Sequence, residues 1–136
     1  MKHGCRGAGF TLLDVLIAVS IAAILASLAL PSFRDALQRG RRVDAVTSLL
    51  GVQIAQERWR ANHTTYADLD ELGWTDSSIE GYYQLRLEQA TAGSFLATAE
   101  PLSDGPQQGD TCGIFALDQR GPVLTTDYAD GACWRR

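Results

Sequence analysis

Residues 10–30 read FTLLDVLIAVSIAAILASLAL, an apolar run interrupted by one charge, Asp14, and closed by Pro31. As a helix rising about 1.5 Å per residue it reaches roughly 31 Å, about the hydrocarbon thickness of a bilayer. A segment apolar on every side suits lipid better than the core of so short a chain. After Pro31 the pattern becomes amphipathic. Phe33, Leu37, Val43, Val46, Leu50 and Ile54 recur at helical spacing, with arginines, Gln38, Asp44, Gln53 and Glu57 between them. The spacing predicts a continuation of the same helix, bent and not ended by Pro31, softened at Gly40 and Gly51, and finished near Arg58, Arg60 and Asn62. Its apolar stripe and Trp59 are expected to pack on a small domain.

Past His63 the period changes. Tyr66 and the stretch Asp68-Leu69-Asp70-Glu71-Leu72-Gly73 predict a loop with one helical turn ended by glycine. Partial alternation over residues 82–88 and 94–100 predicts an antiparallel hairpin. Residues 112–118 and 122–125, separated by Gln119-Arg120-Gly121, predict a second. The expectation is an α+β fold in which a three- to four-stranded antiparallel sheet packs on the long helix.

Charge sharpens this division. From His63 onward four arginines face twelve carboxylates, a balance of −8, whereas the segment before it is rich in arginine. An acidic domain argues against nucleic-acid binding. Of the three cysteines, Cys5 lies in the basic start of the chain, and Cys112 and Cys133 lie in the acidic domain. The later pair reads as a disulfide in an oxidising compartment, with two free thiols in a cytosolic fold as the competing reading. The sequence has no histidine cluster, metal-spaced cysteine set, phosphate loop or nucleophile motif, so neither an enzyme nor a cofactor is expected. The oxygen-rich stretch from Asp104 to Asp110 matches no Ca²⁺ loop and reads as a solvated turn.

An ordinary secretory signal competes for the N-terminus. Lys2 and Arg6 would form its basic region, residues 15–28 its apolar core and Ser27-Leu28-Ala29 its cleavage site. The apolar run is longer than such signals need, and Asp14 has no role in one. A carboxylate in hydrocarbon costs on the order of 3 kcal/mol at mid-depth, so it requires a partner. No Lys or Arg lies one helical turn away within the run. The cation must come from another molecule or from a new chain end.

Gly9-Phe10-Thr11-Leu12-Leu13-Asp14, after a short basic leader and before an apolar run reaching Pro31, resembles the prepilin signal of type IV pilins and pseudopilins. The resemblance implies that a prepilin peptidase cuts between Gly9 and Phe10 and methylates the new amine. Asp14 then takes the family's fifth mature position, where Glu is usual, and Pro31 its helix-kinking twenty-second. It further implies a leader at 1–9, a transmembrane and assembly helix at 10–62, and a periplasmic or extracellular domain at 63–136. Asp110-Thr111-Cys112-Gly113 and Cys133-Trp134 resemble the disulfide-closed end of PilE-type minor pilins. Implied partners are other pilin subunits, the peptidase, an inner-membrane assembly platform and lipid before assembly. The implied route runs from the inner membrane to a pilus at the cell surface, serving twitching motility, adhesion or DNA uptake. Counting positive flanks points the other way, because Arg34, Arg39, Arg41 and Arg42 outweigh Lys2 and Arg6. The need to oxidise the cysteines and the resemblance both place the leader inside. A type II secretion pseudopilin and a secreted binding module cut after Ala29 are the alternatives.

Overall fold

The computed structural model describes residues 10–135. One helix, α1 (Leu12–Arg60), takes up most of the first half of the chain, and Pro31 lies inside it without ending it. Proline removes a single N–H donor, and the Ala- and Leu-rich turns before it favour the helix. The chain forms two compact units that divide between Ala36 and Leu37.

In the first unit α1 is exposed along its whole length, and its apolar side chains from Leu12 to Phe33 have no core of their own to enter. In the second unit the remainder of α1 packs on a four-stranded antiparallel sheet of β1 (Tyr83–Glu88), β2 (Leu96–Pro101), β3 (Phe115–Asp118) and β4 (Gly121–Pro122), in that order. Leu85 pairs with Ala99, which pairs with Phe115, and Leu87 with Ala97, which pairs with Leu117, so one face of the sheet is apolar. That face and Tyr83 close over Ala45, Leu49 and Val52 of α1. A four-residue helix, α2 (Gly131–Trp134), starts at Asp130, whose carboxylate accepts from the backbone N–H groups of Ala132 and Cys133.

The buried face of α1 is not the stripe expected from spacing. Leu37, Leu50 and Ile54 are exposed, whereas Asp44, Ala45, Ser48, Leu49, Val52 and Gln56 are buried. Both sets recur at intervals of three and four, so period alone does not choose between them. Hydrogen bonding decides it. Gln56 donates from Nε2 to the Ala67 carbonyl at 2.7 Å and accepts from the Ala67 N–H at 3.0 Å, which seats the following loop on the helix. Gly51 also acts differently from a soft point. A Cβ there would lie 2.6 Å from the Trp74 ring, so glycine lets the indole lie against the helix.

The turn after α1 forms as its residues require. Asp68 and Glu71 exchange side-chain-to-backbone hydrogen bonds, Gly73 takes a φ of +73°, and the Trp74 N–H reaches the Leu69 carbonyl. The second hairpin is shorter than expected. It pairs only Leu117 with Pro122 and Asp118 with Gly121, around a Gln119-Arg120 turn. Pro122 brings no N–H to a ladder, which limits how far a strand can grow there.

Candidate functional site

The first cluster lies at the start of α1. Thr11 precedes the helix; its backbone N–H and its hydroxyl donate to Asp14 Oδ2 at 3.0 and 2.8 Å, and the Asp14 N–H donates back to Thr11 Oγ1 at 3.2 Å. This is a capping box with Asp at the third helical position. Asp14 thus has a neutral partner in its own chain, and no cation meets it among the described residues. The Thr-x-x-Asp pattern is the sequence signal for this cap. Both donors land on Oδ2, and Oδ1 accepts nothing among the described residues. Phe10 is exposed, and the proposed cut point at Gly9 lies outside the described residues.

The second cluster belongs to the domain. Cys112 and Cys133 are joined, with their Cα atoms 5.9 Å apart, and the bond draws α2 onto the sheet. The Trp134 ring meets Phe115 edge-on at 5.5 Å. Next to the bridge, Arg42 forms a two-pronged pair with Asp110, Nε to Oδ2 at 2.8 Å and Nη2 to Oδ1 at 2.5 Å. That pairing holds the Arg42 guanidinium above its ordinary pKa. Gln107 is fully buried, and its amide nitrogen lies within hydrogen-bond distance of the Gln38 carbonyl, the Tyr83 hydroxyl and Asp110. The stretch from Asp104 to Asp110 is thus a turn with exposed positions at Asp104, Pro106, Gln108 and Gly109, but Gln107 and Asp110 are buried. Two of its side chains anchor it to α1 and β1.

The basic cluster is divided in the same way. Arg41 donates to the Pro106 carbonyl and lies over the Tyr82 ring at 5.4 Å, so it and Arg42 serve their own domain. Arg39 stays exposed. At the far end of α1 the Trp59 ring stacks on His63, the first residue of the expected domain, at 3.7 Å, and the His63 Nδ1–H donates to the Trp59 carbonyl.

Burial pushes the Tyr83 phenol above its ordinary pKa, near 10. The unfolded phenol therefore loses its proton first. Its contribution to stability is complete below about pH 10 and falls as pH rises through the higher folded value, by at most about 1.4 kcal/mol per pH unit. Urea midpoints measured from pH 8 upward are expected to show this alkaline decline, and Tyr83→Phe to flatten it. An unchanged slope in the variant would assign the decline to other groups.

Comparison with known proteins agrees with this fold. A family model described as type IV minor pilin ComP, DNA uptake sequence receptor, matches residues 31–116. The type IV major pilin protein PilE1 of Neisseria gonorrhoeae is 30% identical over 99 residues, covering 71% of this chain and 45% of PilE1. The major pilin PilA of Myxococcus xanthus is 34% identical over 70 residues, covering 51% of this chain and 32% of PilA. The chain thus spans less than half the length of these two relatives. The crystal structure of the Neisseria meningitidis non-core minor pilin PilV shares the fold, with a TM-score of 0.53 at 22% identity over 70% of this chain and 95% of PilV. The chain belongs to the type IV minor pilin family that the ComP model describes. Proteins of the pilin family are structural and assemble with other pilins into fibres.

Proposed function

We propose that this chain is a structural subunit of a type IV pilus, stored in the inner membrane by the first part of α1 and then built into the fibre. The observation that carries this reading is Asp14, the one charge on the exposed stretch of α1 from Leu12 to Phe33, with Oδ2 held by Thr11 and Oδ1 open. In this reading the prepilin peptidase cuts between Gly9 and Phe10 and methylates the new amine, which keeps its charge. The amine of Phe10 on a neighbouring copy then pairs with Oδ1 once the helices leave lipid for one another. Asp is one methylene shorter than Glu, and the Thr11 bonds fix the direction in which its shorter reach is used.

Storage in lipid and packing in a fibre differ little in free energy, because both surround the helix with apolar groups. Such a subunit can be added and withdrawn. Pro31 relieves the helix between its lipid-facing and domain-bearing parts. Residues 63–136 occupy the periplasm and later the cell surface, the membrane assembly platform receives the subunit, and no catalytic role is assigned. DNA uptake, the role named in the family description, joins twitching motility and adhesion as the work of the fibre. The pseudopilin and secreted-module alternatives lack the support that the family match gives the pilus reading.

Mass spectrometry of the membrane-extracted protein is expected to find a chain beginning with N-methylated Phe10; one beginning at Leu30 marks the secreted alternative. Asp14→Ala should leave insertion and cleavage intact and lower the amount in sheared fibres about tenfold, as loss of one partner of a desolvated charge pair does. Undiminished incorporation would remove the charge pairing from the mechanism.

A further inference from the structure

The domain carries two surface hollows of opposite charge. The first, about 110 Å³, lies between α1 and α2. Val43, Val46 and Trp134 give it apolar walls, and the exposed Arg39 and Arg135 line it. Among the described residues neither guanidinium meets a carboxylate. Asp110 is engaged by Arg42 and Asp130 by the start of α2, and Asp35, four positions before Arg39 on α1, makes no salt bridge with it. The second is a shallow groove of about 270 Å³ where Asp68, Asp70 and Asp76 surround Leu69 and Leu87. Asp68 is tied to the Glu71 N–H, whereas the Asp70 and Asp76 carboxylates are exposed and accept no hydrogen bond among the described residues.

The two hollows lie at different levels of the domain. The basic one is level with residues 39–46 of α1, and the acidic one adjoins Ala67, which Gln56 holds. From Arg42 to Gln56 the helix climbs about 21 Å. Patches that match each other but stand this far apart cannot meet within one chain. Between copies they give a head-to-tail contact, which builds a filament when its rotation does not close into a ring.

We propose, building on the pilus-subunit reading above, that the basic hollow of one copy receives the acidic groove of a second copy. Arg39 and Arg135 face Asp70 and Asp76, and Leu69 enters against Trp134 and Val46. Opposite charge sets register and partner choice, and the apolar contact excludes water between the faces. Arg42 takes no direct part, since its charge is spent on Asp110.

The test uses two differently tagged full-length copies co-expressed in a pilus-assembling host, one carrying p-benzoylphenylalanine in place of the exposed Ala132 at the rim of the hollow. Irradiation of sheared fibres is expected to join that position to the peptide holding residues 68–76 of the other copy. The pair Arg39→Glu and Arg135→Glu should lower the yield about tenfold, as conversion of two attractive pairs to repulsive ones implies. Asp70→Arg with Asp76→Arg in the second copy should restore it. An adduct on another segment, on lipid or on DNA overturns the contact, and so does failure of the reversed acids to rescue. Leader cleavage is read in the same samples. Cleaved chains without the adduct overturn the contact alone, whereas uncleaved chains overturn the pilus reading and take the contact with it.

Discussion

Asp44→Ala is expected to cost the domain about 3 to 4 kcal/mol, a large share of what a small fold has to spare. The Asp44 carboxylate is buried on α1 and accepts from the Ser78 hydroxyl at 2.5 Å, the Glu80 N–H at 2.9 Å and the Tyr82 N–H at 3.2 Å. Ser78 in turn accepts from the Tyr83 N–H at 3.0 Å, so the first residue of β1 hangs from α1 through this relay. Hydrogen bonds to a charged acceptor are worth about 1.5 to 3 kcal/mol each, and alanine leaves two backbone donors without a partner. Asp44→Asn preserves the shape but turns an amide NH₂ toward some of those donors, and should lose about 2 kcal/mol. Urea unfolding read by fluorescence follows the domain, because Trp59, Trp74 and Trp134 all lie within it. A loss below about 0.5 kcal/mol for both variants would show that water replaces the carboxylate at little cost.

Removing the disulfide by Cys112→Ser with Cys133→Ser should cost roughly 3 kcal/mol, the loop-closure value for a bridge of this span. The cysteines are 21 positions apart, and the loop between them carries β3, β4 and the approach to α2. The damage is expected to be uneven. The sheet keeps its ladder and its contact with Leu49 and Val52, whereas α2 is left with only its Asp130 cap and the Trp134 to Phe115 contact. Hydrogen exchange at Ala132 and Cys133 should accelerate well beyond exchange in β2. Equal acceleration across the sheet would make the bridge a support of the whole fold instead of a clasp for its end.

The long helix was legible because nothing in residues 10–60 opposes it strongly. One proline in an Ala- and Leu-rich setting does not stop a helix, and the apolar run sets its use. The first hairpin was legible to within two residues, since Leu85 and Leu87 alternate with polar neighbours and face small apolar residues across the ladder. The face of α1 was not legible. Asp44 reads as solvent-facing because polar residues default outward, and only its distant partners, Ser78 and the backbone around Glu80, reverse that default, as Ala67 does for Gln56. The same reason hid Gln107 and Asp110, whose partners on α1 lie more than sixty positions earlier. Asp14 is legible through its charge in an apolar run, whereas the Thr11 hydroxyl that caps it carries no such contrast with its surroundings.

The strand order holds one more consequence. Every strand in the sheet pairs with its neighbour in sequence, with no crossover. The β1–β2 and β3–β4 pairings close short loops and β2–β3 closes over residues 102–114, all modest entropic costs, the kind of topology that assembles stepwise between sequence neighbours. A chain tethered at its N-terminal end can lay down this ribbon as it is delivered, so synthesis order and folding order coincide. Only the seating of the ribbon on Leu49 and Val52 has to wait for distant parts of the chain to meet.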